Sequence, residues 1–527
     1  PPRSTLFPYT TLFRSLYFQA QTNTYNGREL WKSDGTSAGT VLLKEISPGA
    51  GSSNPTLFIG LNGSVLFQAV DSPGNVELWI TNGTAVGTFM LKDIRKGMNS
   101  NTIAQTAKLN NKLFFSAYES TNGQELWTTD GTITGTNMLK NISIYSGDPK
   151  NFFRFGSIIY FSANNETNGY ELWKSDGTTA GTTMIKDMYA GYGSSDPTNF
   201  IELNGGILFT CSNGSSFRLC KTDGTSAGTV VLKGNVNFGD GIVKFNGEVY
   251  FVLLNGSQYE LWKTDGTASG TVFVINALSN NPNLTVCNNQ LFFTKSTGTL
   301  GKELWKTDGT AGGTVLVKDI YIGSSSGNPH GMTASNGILY FTATDGINGR
   351  ELWRTDGTSL GTYLVKDIYP GNEDSYIDGL TVINNQLYFS ADDGINGKEL
   401  WKSDGTALGT NMLHDIFSGP SSSNPMNFFV SHGFLYFSAN DGINGHELWK
   451  SNGTSCGTYL IQNVNSGNNG SYPKIIGEID NNLILNLYEE NVGKELFKYH
   501  DNSILITETC GLPYTWASNN QVDRKST

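Results

Sequence analysis

A Leu-Trp dipeptide returns along almost the whole chain at a nearly constant spacing. Successive markers lie 42 to 48 residues apart, and Cys220 and Phe497 hold the tryptophan position in two further copies. The chain therefore carries about eleven copies of one unit. A period of 40 to 50 residues is typical of propellers, solenoids and other repeat arrays. Nine tryptophans mark the regular copies: Trp31, Trp79, Trp127, Trp173, Trp262, Trp305, Trp353, Trp401 and Trp449.

One unit, Leu380–Ile416, shows the internal pattern clearly. Short apolar or β-branched runs predict four strands, at Leu380–Ile383, Gln386–Ala391, Glu399–Ser403 and Thr410–Ile416. Helical periodicity, which an α-solenoid would need, is absent. Four antiparallel strands in a unit of this length are typical of a β-propeller blade.

The sequence also predicts the turns between these strands. Asn384-Asn385 separates the first two predicted strands, and Asn-Gly takes its place at Asn62-Gly63. Both dipeptides favour tight hairpins because both central residues tolerate positive φ. The Asp-Gly-Thr that begins at Asp404 predicts a second turn, with the carboxylate accepting backbone N–H groups. Because this aspartate recurs in most units, we interpret it as a turn residue and not as a catalytic one.

These patterns together predict an all-β chain, a β-propeller of about eleven four-stranded antiparallel blades. We expect one large ring, because no linker or change in composition interrupts the units. A strand-like stretch at Tyr514–Ser518 would complete the first blade, which begins near Leu16. Two smaller propellers, of five plus six blades, are the alternative arrangement.

The two ends of the chain do not resemble the repeat. Residues 1–15 contain TLFPYTTLFRS, which resembles a translated sequencing adapter, and residues 523–527 resemble the same kind of sequence. We therefore interpret both as non-native segments and expect the protein proper at residues 16–522, as a fragment of a longer gene product. On this interpretation a signal peptide or a C-terminal anchor would lie outside the sequence.

Composition excludes several partners. The chain has 63 glycines, only 15% charged residues and a formal net charge of −11. An acidic chain without basic clusters argues against nucleic acid and an anionic membrane as partners. No run approaches the roughly 18 apolar residues of a membrane span, so the sequence predicts none.

The motif that begins at Glu351 reads ELWRTDGT and is followed by Gly361-Thr362. It resembles the ELWxxDGT repeat of bacterial secreted and cell-surface proteins, and the likeness covers nearly all of residues 16–522. The fifth copy, which begins at Arg218, and the last copy, which begins at Glu495, depart from the pattern. The resemblance implies export to the cell surface or beyond and leaves the molecular function open.

A position that repeats in every unit is expected to be part of the scaffold. We interpret the Leu-Trp pair as packing between blades, and we expect Glu351 and Lys366 to form an exposed pair worth about 0–1 kcal/mol. The aromatic residues after the fourth strand would either stack on sugars or pack between blades; they are Tyr189, Tyr321, Tyr369 and Phe417.

The Gly-rich loop between the second and third strands is the one candidate metal site. It repeats oxygen-bearing side chains two or three residues apart, an arrangement compatible with Ca²⁺ although sparser than a dedicated calcium loop. The candidate ligands are Asp345, Asn348, Asp393, Asn396, Asp441 and Asn444. The alternative is an ordinary hairpin loop. The sequence predicts no catalytic residues and no other cofactor.

Cys211 and Cys220 replace a small residue and the tryptophan of the fifth unit. A disulfide between them would compensate for the lost indole packing and would fit an oxidising compartment. Two independent substitutions to a small buried residue are the alternative.

Two functions remain at this stage. The first is a non-enzymatic extracellular or cell-surface scaffold for adhesion, with a glycan or protein ligand on its loop faces. The alternative is a polysaccharide-degrading enzyme, a lyase or glycoside hydrolase. An enzyme would need unique, non-repeated acidic groups at one place, and the conspicuous acidic pairs, Glu373-Asp374 and Glu489-Glu490, have the character of loop charges.

Overall fold

The structure is a computed structural model. It describes residues 15–21, 27–34, 39–71, 75–94, 103, 105–465, 467–479, 482–489, 493–500 and 522–523. The segment predicted to close a ring, Tyr514–Ser518, lies outside these residues. The same is true of the two end segments interpreted as non-native, apart from Ser15 and Asp523.

The described residues form eleven antiparallel β-blades and contain no helix. Nine blades are separate sheets, eight of which have four strands in chain order, while the first has three. The sixth and seventh blades share one eight-stranded sheet, because Leu278 pairs with Lys295. The predicted all-β propeller fold is therefore confirmed.

The first five blades contain strands β1 to β19. Blade 1 comprises β1 (Leu16–Ala20), β2 (Glu29–Ser33) and β3 (Val41–Lys44). Blade 2 comprises β4 (Thr56–Leu61), β5 (Ser64–Val70), β6 (Val76–Thr81) and β7 (Thr88–Lys92). Blade 3 comprises β8 (Thr106–Leu109), β9 (Lys112–Glu119), β10 (Gly123–Thr129) and β11 (Asn137–Lys140). Blade 4 comprises β12 (Lys150–Phe155), β13 (Ile158–Asn164), β14 (Tyr170–Ser175) and β15 (Thr183–Lys186). Blade 5 comprises β16 (Thr198–Leu203), β17 (Gly206–Ser212), β18 (Phe217–Thr222) and β19 (Val230–Val236).

The other six blades contain strands β20 to β43. Blade 6 comprises β20 (Phe238–Phe245), β21 (Glu248–Asn255), β22 (Gln258–Thr264) and β23 (Val272–Leu278). Blade 7 comprises β24 (Thr285–Cys287), β25 (Gln290–Thr297), β26 (Gly301–Thr307) and β27 (Val315–Lys318). Blade 8 comprises β28 (His330–Ser335), β29 (Ile338–Ala343), β30 (Glu351–Thr355) and β31 (Tyr363–Lys366). Blade 9 comprises β32 (Asp378–Ile383), β33 (Gln386–Asp392), β34 (Lys398–Ser403) and β35 (Asn411–His414). Blade 10 comprises β36 (Met426–Ser431), β37 (Phe434–Asn440), β38 (His446–Ser451) and β39 (Thr458–Gln462). Blade 11 comprises β40 (Lys474–Ile479), β41 (Asn482–Glu489), β42 (Gly493–His500) and β43 (Val522–Asp523).

Within a blade the strands are named A to D in chain order. In blade 9 the A–B hairpin closes at the pair Ile383 and Gln386, with Asn384 and Asn385 between them at φ +49° and +64°. Positive φ at both central residues gives the tight turn that the sequence predicts. The predicted strand ends in this unit agree with the structure to within two residues.

Apolar side chains of one blade pack against those of the next blade. In strands B and C of blade 9, Phe389 pairs with Trp401 across the hairpin. Both side chains are buried, with 0% and 4% of their surface exposed. The cluster joins residues of blade 8 to residues of blade 9: Tyr340, Leu352, Val365 and Ile368 with Leu387, Phe389, Ala391 and Trp401. The tryptophan is therefore part of the packing between blades.

The chain divides into two compact units. The first comprises Pro1–Asn237, Gly266–Ser269 and Asp523–Thr527, and the second comprises Phe238–Asp265 and Gly270–Val522. Blades 1 to 5 belong to the first unit, and blades 6 to 11 belong to the second apart from the turn Gly266–Ser269 and Asp523. Closure into one ring is not detected, so the single-ring arrangement stays a prediction.

Candidate functional site

The antiparallel strand order gives every blade two different ends. The A–B and C–D turns lie at one end, which we call the turn face. The B–C loop and the connection from strand D to the next blade lie at the other end, which we call the loop face. Backbone hydrogen bonds hold the connection between two blades on the loop face. In the connection from blade 8 to blade 9, Ser375 N donates to Arg350 O, and Ser375 O accepts Asp392 N of blade 9.

The turn face is closed by internal hydrogen bonds. Asp404 Oδ1 accepts the backbone N–H of Thr406 at 2.8 Å and its hydroxyl at 2.7 Å, and Gly405 has φ +86°. The Thr406 hydroxyl oxygen in turn accepts Gly409 N at 3.0 Å. These bonds, led by that from the Thr406 hydroxyl, hold the pKa of Asp404 below its ordinary value. The predicted role of this aspartate as a turn residue is confirmed.

The glutamate of the ELW motif has a structural role on the loop face. Glu399 is 0% exposed and holds the connection from blade 9 to blade 10 with both oxygens. Oε2 accepts Ile416 N at 2.8 Å and the Ser423 hydroxyl at 2.6 Å, while Oε1 accepts Ser423 N at 2.9 Å. Burial raises the pKa of Glu399 to about 7, against the hydrogen bonds, which favour the ionised form. We call this arrangement the Glu clamp.

The prediction that Glu351 and Lys366 form an exposed pair is wrong. Glu351 is buried and accepts Ile368 N at 2.9 Å, so it belongs to the Glu clamp of blade 8. Lys366 instead donates from Nζ to Thr410 O of blade 9 at 2.8 Å and lies 5.6 Å from the centre of the Trp401 ring. A buried carboxylate needs hydrogen-bond donors close to it, and the connection supplies them.

The Glu clamp depends on the length of the connection. Eleven residues separate strand D of blade 9 from the next strand, but only one separates β19 from β20 and only six separate β23 from β24. In blade 5 the glutamate is replaced by Arg218, and in blade 6 Glu260 accepts Trp262 Nε1 at 2.8 Å. Where the connection is short, the clamp is absent.

The loops proposed for Ca²⁺ bring each predicted pair of side chains together. In blade 8, Asp345 Oδ1 accepts the backbone N–H groups of Ile347 and Asn348, and Asp345 Oδ2 accepts Asn348 Nδ2 at 2.8 Å. Asp393 with Asn396 and Asp441 with Asn444 repeat this pattern. A cation would have to displace these donors. Within the described residues, no three His, Cys, Asp or Glu side chains are grouped for a metal. Calcium binding stays a prediction.

The aromatic residues after strand D lie against glycines of the following loop. A Cβ at Gly394 would lie 2.6 Å from the Tyr369 ring, and one at Gly442 would lie 2.3 Å from the Phe417 ring. Tyr321 meets Gly346 in the same way, and Tyr189 meets Gly214. Since each ring lies against the neighbouring blade, this arrangement favours packing between blades over stacking on sugars.

Blade 5 replaces the usual indole packing with a disulfide. The structure joins Cys211 and Cys220, whose Cα atoms lie 6.5 Å apart. The two cysteines are diagonal neighbours across the hairpin, because Cys211 pairs with Arg218 and Phe209 pairs with Cys220. Both cysteines are 0% exposed and pack against blade 4.

Three exposed aromatic side chains belong to the loop face of blades 3 to 5. Tyr145 is 75% exposed and Tyr192 86%, and each lies in a connection between blades. Phe217, at the start of strand C of blade 5, is 54% exposed. We call Tyr145, Tyr192 and Phe217 the exposed rings.

A polar cluster lies in blade 4 and includes residues from the two connections that carry Tyr145 and Tyr192. Lys150 Nζ lies 3.7 Å from the centre of the Tyr170 ring and 3.7 Å from Asp196 Oδ1. Tyr170 Oη donates to Asp148 Oδ2 at 2.7 Å. We call these four residues the Tyr170 cluster. It links the connections on the two sides of blade 4, since Asp148 lies in one and Asp196 in the other.

Sequence reasoning missed both the exposed rings and the Tyr170 cluster. It searched for repeated aromatic residues and for acidic pairs, whereas Tyr145 and Tyr192 each occur once, inside Gly- and Ser-rich connections. Their signal is that they break the pattern of the connection. The acidic residue Asp374, singled out earlier, accepts Arg350 N at 2.7 Å and so supports the loop.

Solved structures that resemble the chain include β-propeller proteins, all at low identity. The computationally designed Ika8 protein is 14% identical, with a TM-score of 0.30, over 66% of this chain and 95% of its own. The β-propeller domain of the Trilobed protease from Pyrococcus furiosus is 10% identical, with a TM-score of 0.27, over 66% and 94%. A puromycin hydrolase is 13% identical, with a TM-score of 0.25, over 81% of this chain and 62% of its own. At these values the likeness says nothing of activity.

No protein-family model matches the chain, and the curated proteins contain no match to it. The described part of the chain contains no helix and therefore no helix that could cross a membrane.

Proposed function

We propose that the chain is a non-enzymatic, exported binding scaffold that holds a glycan on the loop face of blades 3 to 5. The observation that carries the proposal is the group of exposed rings, which lie on consecutive blades and whose exposure no packing requirement explains. Tyrosine offers an apolar ring and a polar tip, which suits a ligand with both kinds of surface.

The surroundings of the exposed rings favour a glycan over a protein. Protein interfaces have an apolar core in which aromatic side chains are surrounded by other apolar groups. Here Tyr145 follows the exposed Ile144 but is succeeded by Ser146 and Gly147, and Tyr192 lies between Gly191 and Gly193. Separate rings among small polar residues fit sugar rings whose hydroxyl groups stay partly hydrated.

The contacts of the repeated carboxylates give little support to a catalytic role for them. The Glu clamp carboxylates are buried and occupied by backbone donors, and the aspartates of the turn face are bonded within their own turns. A glycoside hydrolase would need two carboxyl groups on either side of one glycosidic bond. The disulfide of blade 5 supports export, since such bonds persist in oxidising compartments.

A glycan array combined with product analysis tests this proposal. The purified full chain is applied to immobilised glycans, and each polysaccharide that binds is then incubated with the protein and examined for shortened chains. We expect binding without new reducing ends or unsaturated products. Turnover of a bound polysaccharide would favour the lyase or hydrolase alternative, and binding of no glycan would contradict the proposal.

A further inference from the structure

Among the described residues the four members of the Tyr170 cluster occur together in blade 4 only, although Tyr259 holds the place of Tyr170 in blade 6. The place of Tyr170 is taken by Gln124 in blade 3, Lys302 in blade 7 and Lys398 in blade 9. The place of Lys150 is taken by Thr198 in blade 5. Those blades form their loop faces without the cluster, so the scaffold does not require it.

Hydrogen-bonding capacity remains in the cluster after its internal contacts are made. The Tyr170 hydroxyl group donates to Asp148 Oδ2, and its oxygen keeps lone pairs that can accept. The side chains of Lys150 and Asp196 are 35% and 47% exposed, and each has further donor or acceptor positions. Burial and the neighbouring carboxylate Asp148 raise the pKa of Tyr170, so its hydroxyl stays protonated at neutral pH. The cluster therefore presents donors and acceptors that are held partly by the same two connections as Tyr145 and Tyr192.

The charges of the Tyr170 cluster indicate whether a charged or an uncharged glycan would bind there. The cluster contains two carboxylates, Asp148 and Asp196, and one ammonium group, that of Lys150, and the whole chain carries a formal charge of −11. A like charge brought close to these carboxylates is repelled, and the field of an acidic protein lowers the local concentration of anions. An uncharged ligand with hydroxyl groups meets no such barrier.

Resting on the function proposed above, we propose that the ligand is an uncharged polysaccharide whose hydroxyl groups bind to the Tyr170 cluster while its sugar rings lie on Tyr145 and Tyr192. Specific binding sites commonly combine apolar surface with a few fixed polar groups that set orientation. The rings supply contact area, and the cluster distinguishes the sugars.

The test uses the full chain with two panels of polysaccharides in low-salt buffer. The neutral panel contains glucans, galactans, mannans and xylans, and the anionic panel contains alginate, polygalacturonate and a sulfated galactan. Binding is measured by affinity electrophoresis and titration calorimetry. We expect at least one neutral polysaccharide to bind and every anionic one to bind at least tenfold more weakly.

Two lysine variants provide a matched comparison. Lys150→Met removes the ammonium group of the cluster, whereas Lys398→Met removes a lysine that is paired with Asp378 at 2.6 Å in blade 9. We expect Lys150→Met to weaken neutral polysaccharide binding at least fivefold and Lys398→Met to change it less than twofold. Equal thermal unfolding of both variants shows that they are folded.

The outcomes separate this inference from the proposed function. If anionic polysaccharides bind best, and Tyr192→Ala abolishes that binding, the scaffold function stands and the inference is overturned. An unchanged affinity in Lys150→Met also overturns the role of the cluster. If no polysaccharide of either panel binds, both the inference and the proposed function are overturned.

Discussion

Blades 8 to 10 and blades 3 to 5 share their strands but differ on the loop face. In blades 8 to 10 one loop sequence repeats, and its tip is an exposed isoleucine: Ile347, Ile395 or Ile443. In blades 3 to 5 the loops differ from one another and display Tyr145, Tyr192 and Phe217. The regular blades show what the fold needs, so departures from them identify candidate function.

The difference is one of hydrogen bonding as well as of shape. In the regular loops Asp393 and Asn396 are bonded to each other, and Tyr369 lies on Gly394. In blade 4 the Tyr170 cluster keeps exposed donors and acceptors. Exposed tyrosines do occur among the regular blades, at Tyr376 and Tyr472, but Tyr472 stacks on His446. Tyr376 therefore serves as a matched control for the exposed rings.

The largest expected effect concerns the Glu clamp. Glu399→Ala leaves buried donors at Ile416 and Ser423 without an acceptor, and we expect a loss of about 3–5 kcal/mol in local stability, since each such donor costs about 1–3 kcal/mol. Hydrogen exchange of residues 415–424 measures it. Glu260→Ala, where no long connection is held, should cost about 1 kcal/mol. Equal losses in the two variants would refute the clamp.

The next effect tests the exception in blade 5. Changing both Cys211 and Cys220 to alanine removes the cross-link and should cost about 3 kcal/mol in urea unfolding. Cys211→Ala combined with Cys220→Trp restores the residue pair of the regular blades and should recover most of this loss. If the tryptophan variant is as unstable as the double alanine variant, blade 5 does not accept the regular packing. Non-reducing peptide mapping of the parent chain is the control for the disulfide.

A smaller effect concerns Gly394, which lies against the Tyr369 ring. Gly394 and Gly205 both have φ +75°, but a Cβ at Gly394 would meet the Tyr369 ring at 2.6 Å, whereas a Cβ at Gly205 meets nothing within 4 Å. We expect Gly205→Ala to cost about 1 kcal/mol from backbone strain alone and Gly394→Ala about 2–3 kcal/mol. Thermal or urea unfolding measures both. Identical costs would show that the tyrosine moves aside freely.

The last prediction concerns the dependence of stability on pH. Burial raises the pKa of Glu351, Glu399 and Glu447 from 4.5 to about 7. Folding therefore gains most from these groups below about pH 4.5 and loses that contribution as the pH rises towards 7. Hydrogen bonds lower the pKa of turn aspartates such as Asp404, whose contribution is lost as the pH falls below about 3.8.

These opposite shifts predict maximum stability between about pH 4 and pH 5. Urea unfolding from pH 3 to pH 8 checks this, with Glu399→Gln as the control because glutamine does not titrate. The variant should show a weaker decline between pH 5 and pH 7 than the parent chain. A parent chain that is most stable at pH 8 would contradict the expected shift.

Periodic features were predictable from the sequence, because local chemistry determines them. The turn at Asn384-Asn385, the aspartate turn at Asp404 and the apolar faces of Phe389 and Trp401 follow from residue type and spacing. The Glu clamp did not follow, because its donors lie 17 to 24 residues from the glutamate. Spacing within a strand does not show which backbone groups will surround a carboxylate.

The candidate site was missed for a related reason. Tyr170, Asp148, Lys150 and Asp196 come together only once two connections fold over blade 4. A search for repeated residues discards those that occur once, and these are the residues left exposed. The repeated residues predicted the scaffold, whereas the candidate site consists of residues that depart from the repeat.

The most direct test of the account compares the exposed rings with a tyrosine of the regular blades. The affinity of a bound polysaccharide is measured for the parent chain, for Tyr145→Ala with Tyr192→Ala, and for Tyr376→Ala. The account predicts at least a tenfold loss in the double variant and less than a twofold change in Tyr376→Ala. Unchanged affinity in the double variant, or a loss only in Tyr376→Ala, would contradict it.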